Sequence, residues 1–136
     1  MGLKFGTQEW LDEYRKVLNE NKAYEDAAKT WEGDFIFIVK PSGGLDHELR
    51  FWIDLHHGKS PGGKMLAPGE EKEAAFVFSG PWTNFHKLIQ KKLDPIQGLM
   101  QGKFALKGDM GKVMRAVRAA QELVNTILMI DTEVYD

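Results

Sequence analysis

His47-Glu48-Leu49-Arg50-Phe51-Trp52-Ile53-Asp54-Leu55 alternates apolar and polar side chains along its whole length. Leu49, Phe51, Ile53 and Leu55 share one face, with Glu48, Arg50, Trp52 and Asp54 on the other. A period of two predicts a half-buried strand in an antiparallel hairpin. Upstream, Phe35-Ile36-Phe37-Ile38-Val39 is aromatic and β-branched and stops at Pro41, so it reads as the partner strand. Ser42-Gly43-Gly44 supplies the turn. Downstream, His56 to Glu73 is rich in Gly, Pro and Lys and is expected to hold a short edge strand. Ala74 to Phe78 is a further strand. Lys103 to Lys107 is another, with Phe104 and Leu106 predicted to face inward.

Helical spacing flanks these strands. Thr7 is a candidate N-cap for a helix carrying Trp10, Leu11, Tyr14, Val17 and Leu18. Ala23 to Trp31 forms a second helical stretch ended by Gly33. Pro81 is expected in the first turn of a helix whose Trp82, Phe85, Leu88 and Ile89 share a face. Asp94-Pro95 opens a short helix closed by Gly102. Asp109 caps a last long helix with Met110, Val113, Met114, Val117, Val124 and Ile127 on its apolar side. Helices at both ends and strands between them, joined mostly as hairpins, predict an α+β fold. Its mostly antiparallel sheet of about five strands is covered by helices on one face.

The 136 residues suit a single domain spanning residues 1–136, with 43% hydrophobic, 28% charged and 11% aromatic residues. Cysteine is absent, which removes disulfides and thiolate chemistry. No apolar run approaches the roughly 20 residues that span a bilayer. Met1-Gly2-Leu3-Lys4-Phe5-Gly6 lacks a signal-peptide core and a myristoylation pattern, so a cytoplasmic protein is expected. The net charge of −2 gives no overall attraction to nucleic acid. Between His86 and Arg118, however, eight Lys or Arg residues face only Asp94 and Asp109. Lys112, Arg115 and Arg118 within that stretch fall near one side of the expected last helix, suggesting transient contact with an anionic membrane.

Catalytic and metal patterns are weak. Gly58-Lys59-Ser60-Pro61-Gly62-Gly63-Lys64 superficially matches a phosphate loop. Met65 stands where a hydroxyl should reach magnesium, and Leu66-Ala67-Pro68-Gly69 breaks any following helix, so a flexible hairpin loop is expected. His56-His57 would point to opposite faces of a strand, and no cysteine or second acidic cluster completes a metal shell. No nucleophile–base pattern appears, so neither an enzyme nor a metal protein is expected.

Two segments carry a resemblance. Trp52-Ile53-Asp54-Leu55, Gly58-Lys59 and the strand Ala75-Phe76-Val77-Phe78 resemble the hairpin of the sterol carrier protein type-two family. Lys92-Leu93-Asp94-Pro95, followed by Leu99-Met100-Gln101-Gly102-Lys103-Phe104-Ala105-Leu106-Lys107-Gly108-Asp109-Met110-Gly111, is similar to that family's helix, Gly-Lys, strand, Gly-Asp, helix signature. Lys91 stands where the family often has glycine, and Gly98-Leu99 replaces a commoner Ala-Phe. The C-terminal Glu133-Val134-Tyr135-Asp136 is not a peroxisomal address. The resemblance implies a stand-alone binder of fatty acids, acyl chains or sterol-like lipids in an apolar cavity, without a cofactor.

The residues expected to line that cavity or pack beside it are Phe51, Ile53, Phe76, Phe78, Trp82, Phe85, Leu88, Ile89, Leu99, Met100, Phe104, Leu106, Met110 and Met114. The flexible Met100, Met110 and Met114 are expected to face inward and adapt to varied ligands. Lipid binding and carriage has one rival from another class: a protein-interaction module, a homodimer formed through the exposed sheet face around Trp52.

Overall fold

The computed structural model describes residues 2–136. Met1, the first residue of the segment read for a signal peptide, lies outside the described residues. In chain order the elements are β1 (Leu3–Lys4), α1 (Gln8–Glu20), α2 (Lys22–Ala27), β2 (Phe35–Lys40), β3 (Leu49–Ile53), β4 (Gly63–Met65) and β5 (Phe76–Pro81). There follow α3 (Trp82–Ile89), α4 (Pro95–Met100), β6 (Ala105–Lys107), α5 (Met110–Met114), α6 (Val117–Ile127) and β7 (Thr132–Glu133).

The continuous apolar run of β2 takes the centre of a five-stranded sheet ordered β4-β3-β2-β5-β6. Between two flanking strands its outward Ile36 is buried and Ile38 half-buried, so its sequence barely alternates. Its inward residues Phe35 and Phe37 pair with Ile53 and Phe51 of β3 and with Phe76 and Phe78 of β5. The β2–β5 pairing is parallel, and the other three are antiparallel. The α+β class and the mostly antiparallel sheet are therefore as the sequence predicts. On β3, Leu49, Phe51 and Ile53 are buried and Arg50 and Trp52 only partly so, as their alternation requires.

The caps form as read. Thr7 accepts from the Trp10 amide, Asp94 from Ile96 and Gln97, and Asp109 from Lys112. Asp94 also receives a bond from the Gln121 side chain, tying α4 to α6. Replacing it by alanine should cost about 1 kcal/mol, the usual worth of an N-cap. Asp94→Ala melting at the parent's temperature would contradict this.

Strand β5 continues through Ser79-Gly80-Pro81, so Pro81 caps α3 instead of sitting in its first turn. The last long helix is two helices. The Ala116 amide bonds back to the Val113 carbonyl, three residues away, and Ala116 itself has φ −108. This tight turn re-aims α6, burying Ala119, Val124 and Thr126 and leaving Val117 38% exposed. Lys112 and Arg115 thus belong to α5 and its end, and Arg118 to α6, so the three bases do not share one helix side. Lys112 is also engaged: its ammonium donates to the Glu32 carbonyl and lies 4.7 Å from the Trp31 ring centre.

Met100 and Met110 do not face inward. They are 67% and 43% exposed. On α4, Ile96, Gly98 and Leu99 take the buried side, and Met100 begins an exposed corner. Met110 belongs to the equally exposed corner from Lys107 to Gly111.

The outer sheet face at Trp52 is not bare. Its indole donates to Asp34 at 2.7 Å, and the Lys72 ammonium lies 4.2 Å from its ring centre. Partial burial raises the Asp34 pKa, but the Trp52 indole and the Ala75 amide outweigh that effect and hold it below the ordinary value. Nor is the glycine-rich segment a flexible loop. Ser60 is buried and bound to α1: its amide donates to Asn19, and Arg15 donates to its hydroxyl and carbonyl oxygens. Finally, β1 and β7 pair in parallel, bringing the two ends of the described chain together.

Candidate functional site

The inner face of the sheet is aromatic because β2, β3 and β5 each place Phe on the same side in register. Phe37 stands 5.2 Å from Phe51 and 5.7 Å from Phe78, measured between ring centres. Helices α3 to α6 span this floor without filling the space above it. A cavity of about 110 Å³ remains. Its floor is Phe35, Phe37, Phe51, Ile53, Leu55 and Phe78. Its roof is Phe85 and Leu88 of α3, Pro95, Ile96 and Leu99 of α4, Val113 of α5, and Ala120, Leu123, Val124 and Ile127 of α6. Phe5, Trp10 and Tyr14 close one end. A smaller space of about 30 Å³ adjoins it through Phe35, Leu55, Val113, Ala120 and Leu123 and reaches Tyr24 and Trp31.

The lining offers no free polar group. The Tyr14 hydroxyl donates to the Leu123 carbonyl at 2.7 Å, and the Trp10 indole donates to Thr132 at 3.0 Å. Burial pushes the Tyr14 phenol well above its ordinary pKa, so it stays neutral. Among the described residues, every buried side-chain nitrogen or oxygen has a hydrogen-bond partner. Such a space gives apolar contact and nothing for proton transfer or charge stabilisation. Outside it, a polar cleft of about 330 Å³ is lined by Lys91, Leu93, Asp94, Pro95, Gln121, Val124 and Asn125. Pro95 and Val124 border both spaces.

Of the residues singled out from sequence, Phe51, Ile53, Phe78, Phe85, Leu88 and Leu99 border the cavity. Phe76, Trp82 and Phe104 are buried elsewhere. Phe76 stacks on Phe35 at 4.9 Å, the Trp82 indole donates to the Tyr135 carbonyl, and Phe104 packs 4.8 Å from Phe78. Ile89, Leu106 and Met114 are partly buried against the core, away from the lining, and Met100 and Met110 are at the surface. Phe35 and Phe37 also line it, but the continuous apolar run of β2 did not show which face they take. Ala120, Leu123 and Pro95 carried no signal of this role either.

Residues 11–121 match the SCP-2 sterol transfer family. The chain belongs to that family. It is 31% identical to sterol carrier protein 2 in a crystal structure, with a TM-score of 0.80 over 93% of this chain and 99% of the other. It is also 31% identical to the conserved hypothetical protein TT1886 of Thermus thermophilus, with a TM-score of 0.85 over 97% of this chain and 93% of that one. Hydroxysteroid dehydrogenase-like protein 2 of Xenopus tropicalis is 33% identical over 97 residues, or 71% of this chain. The match spans only 21% of that longer relative. The backbone constrains two of the positions where the sequence departs from the expected pattern. Lys91 has φ 58, the left-handed conformation that glycine adopts freely. At Gly98 a Cβ would stand 2.7 Å from the Phe104 ring, so alanine there requires that ring to shift. No helix among the described residues is long and apolar enough to cross a membrane.

Proposed function

We propose that this chain binds and carries a lipid with a slender apolar tail, a fatty acid or acyl chain, between the sheet and helices α3 to α6. The observation that carries the reading is a cavity lined by apolar side chains whose neighbouring polar atoms are all paired already. Burial of about ten methylenes at roughly 0.8 kcal/mol each would give about 8 kcal/mol, on the scale of micromolar binding before ordering costs. Size favours a chain over a sterol. The 110 Å³ cavity is below the ~150 Å³ that accommodates one benzene, and a rigid four-ring ligand is far larger. A flexible tail can enter as the roof helices shift outward, leaving its polar head in the cleft beside Lys91 and Gln121.

Residues 1–136 act as one lipid-binding domain that holds its ligand unaltered. Its cysteine-free sequence suits a reducing compartment, which supports the cytoplasm as its setting. Titration with a fluorescent fatty acid should saturate at one equivalent with micromolar affinity, and unlabelled fatty acid should displace it. A panel of fatty acids, acyl thioesters and sterols that all fail to bind would overturn the reading.

A further inference from the structure

We propose that Glu32, His56 and His57 form a binding site for a late first-row divalent cation such as zinc. The two histidines are adjacent in sequence, and in a regular strand their rings would diverge. They do not, because β3 ends at Ile53 and His57 sits in a turn. It has φ 48 and the next residue, Gly58, φ 79, the pair of positive values that a type I′ turn requires. The two imidazoles consequently stack with centres 4.0 Å apart and planes within 9°. The rings therefore do not point to opposite faces as a strand reading requires.

Glu32 comes to the same place from the connection before β2. It forms an isolated antiparallel bridge with His56, and the His57 amide donates to the Trp31 carbonyl at 2.7 Å. His56 and Lys59 exchange two backbone bonds that close the turn. The backbones of all three residues are therefore fixed to one another, and only side-chain rotation remains. One ligand atom from each residue lies within 4.8 Å of the others, and His57 Nε2 stands 2.7 Å from Glu32 Oε2. Metal bonds of roughly 2.1 Å place ligand atoms roughly 3–4 Å apart, which a small rotation of these exposed side chains achieves.

Two imidazoles and one carboxylate suit zinc or its neighbours, leave a coordination position for water, and suit calcium or magnesium poorly. The cations nearby are occupied: Lys59 pairs with Glu25 at 2.7 Å, and Lys112 is bonded to the Glu32 carbonyl. Trp31 and Leu55, the sequence neighbours of Glu32 and His56, line the smaller apolar space. A bound ion would tie those two segments together at that end of the cavity.

Calorimetric titration of the intact protein with zinc alone tests the site. One equivalent should bind, and excess magnesium should not compete. His56→Gln and His57→Asn should each weaken binding at least tenfold, asparagine being chosen because it tolerates positive φ. His47→Gln and His86→Gln should leave it unchanged. Histidine ring resonances of the parent protein give a reading that needs no variant: zinc should shift those of His56 and His57 and spare His47 and His86. Absence of stoichiometric binding, or full binding by the His56→Gln/His57→Asn double variant, would overturn the proposal.

Discussion

Gly108→Val is expected to lower the stability of the fold by about 3 kcal/mol, and so its melting temperature by roughly 10 °C. Gly108 has φ +126, a conformation that side chains with a Cβ rarely adopt. Space is also denied: a Cβ would stand 2.7 Å from the Ala75 carbonyl oxygen and 2.6 Å from the Phe76 ring. The carbonyl belongs to backbone entering β5 and cannot swing aside as a side-chain tip can. Gly108→Ala should already show most of the loss, because the first carbon makes the clash. Lys16→Gln on the exposed side of α1 should melt with the parent. Equal midpoints for Gly108→Val and Lys16→Gln in a thermal scan would disprove the assignment of strain to this corner.

Ala120→Phe should abolish lipid uptake while leaving the protein folded. Ala120 borders both the main cavity and the smaller space next to it, so an added ring would enter the volume assigned to the acyl tail. A benzene-sized group exceeds the 110 Å³ opening, so the ring fills it and presses on the roof. Fatty-acid affinity should fall at least tenfold, a loss of about 1.4 kcal/mol or more. Stability should fall by no more than the roughly 1–3 kcal/mol typical of overpacking. Met100→Phe, at an exposed position, should bind as the parent does. Parent-like affinity in a folded Ala120→Phe protein would move the ligand elsewhere. Loss of the fold, or destabilisation well above that range, would mean that this region is packed core.

Much of this arrangement is written locally. The alternation of Leu49, Phe51, Ile53 and Leu55 dictated a half-buried strand, because a pleated backbone sends successive side chains to opposite faces. Thr7, Asp94 and Asp109 announced three helix starts through their ability to accept from free amides. The signature from Lys92 to Gly111 carried the family. Its glycines and cap mark the corners of the chain and leave open what the chain encloses.

Other features depended on residues distant in sequence. From Lys112 to Ile127 no proline or glycine interrupts the chain, so the division between α5 and α6 had no local mark. Met100 and Met110 look like core residues by type, yet exposed corners carry them outward. The two histidines meet through a left-handed turn that a strand pattern conceals. By itself, the sequence determined where most of the longer strands and helices lie and which face of β3 is apolar, since these follow from periodicity and capping within a few residues. The tertiary structure alone decided that the apolar faces of sheet and helices meet without filling the space between them. That outcome depends on the distance and angle at which α3 to α6 cross the sheet, which side chains far apart in the chain set together.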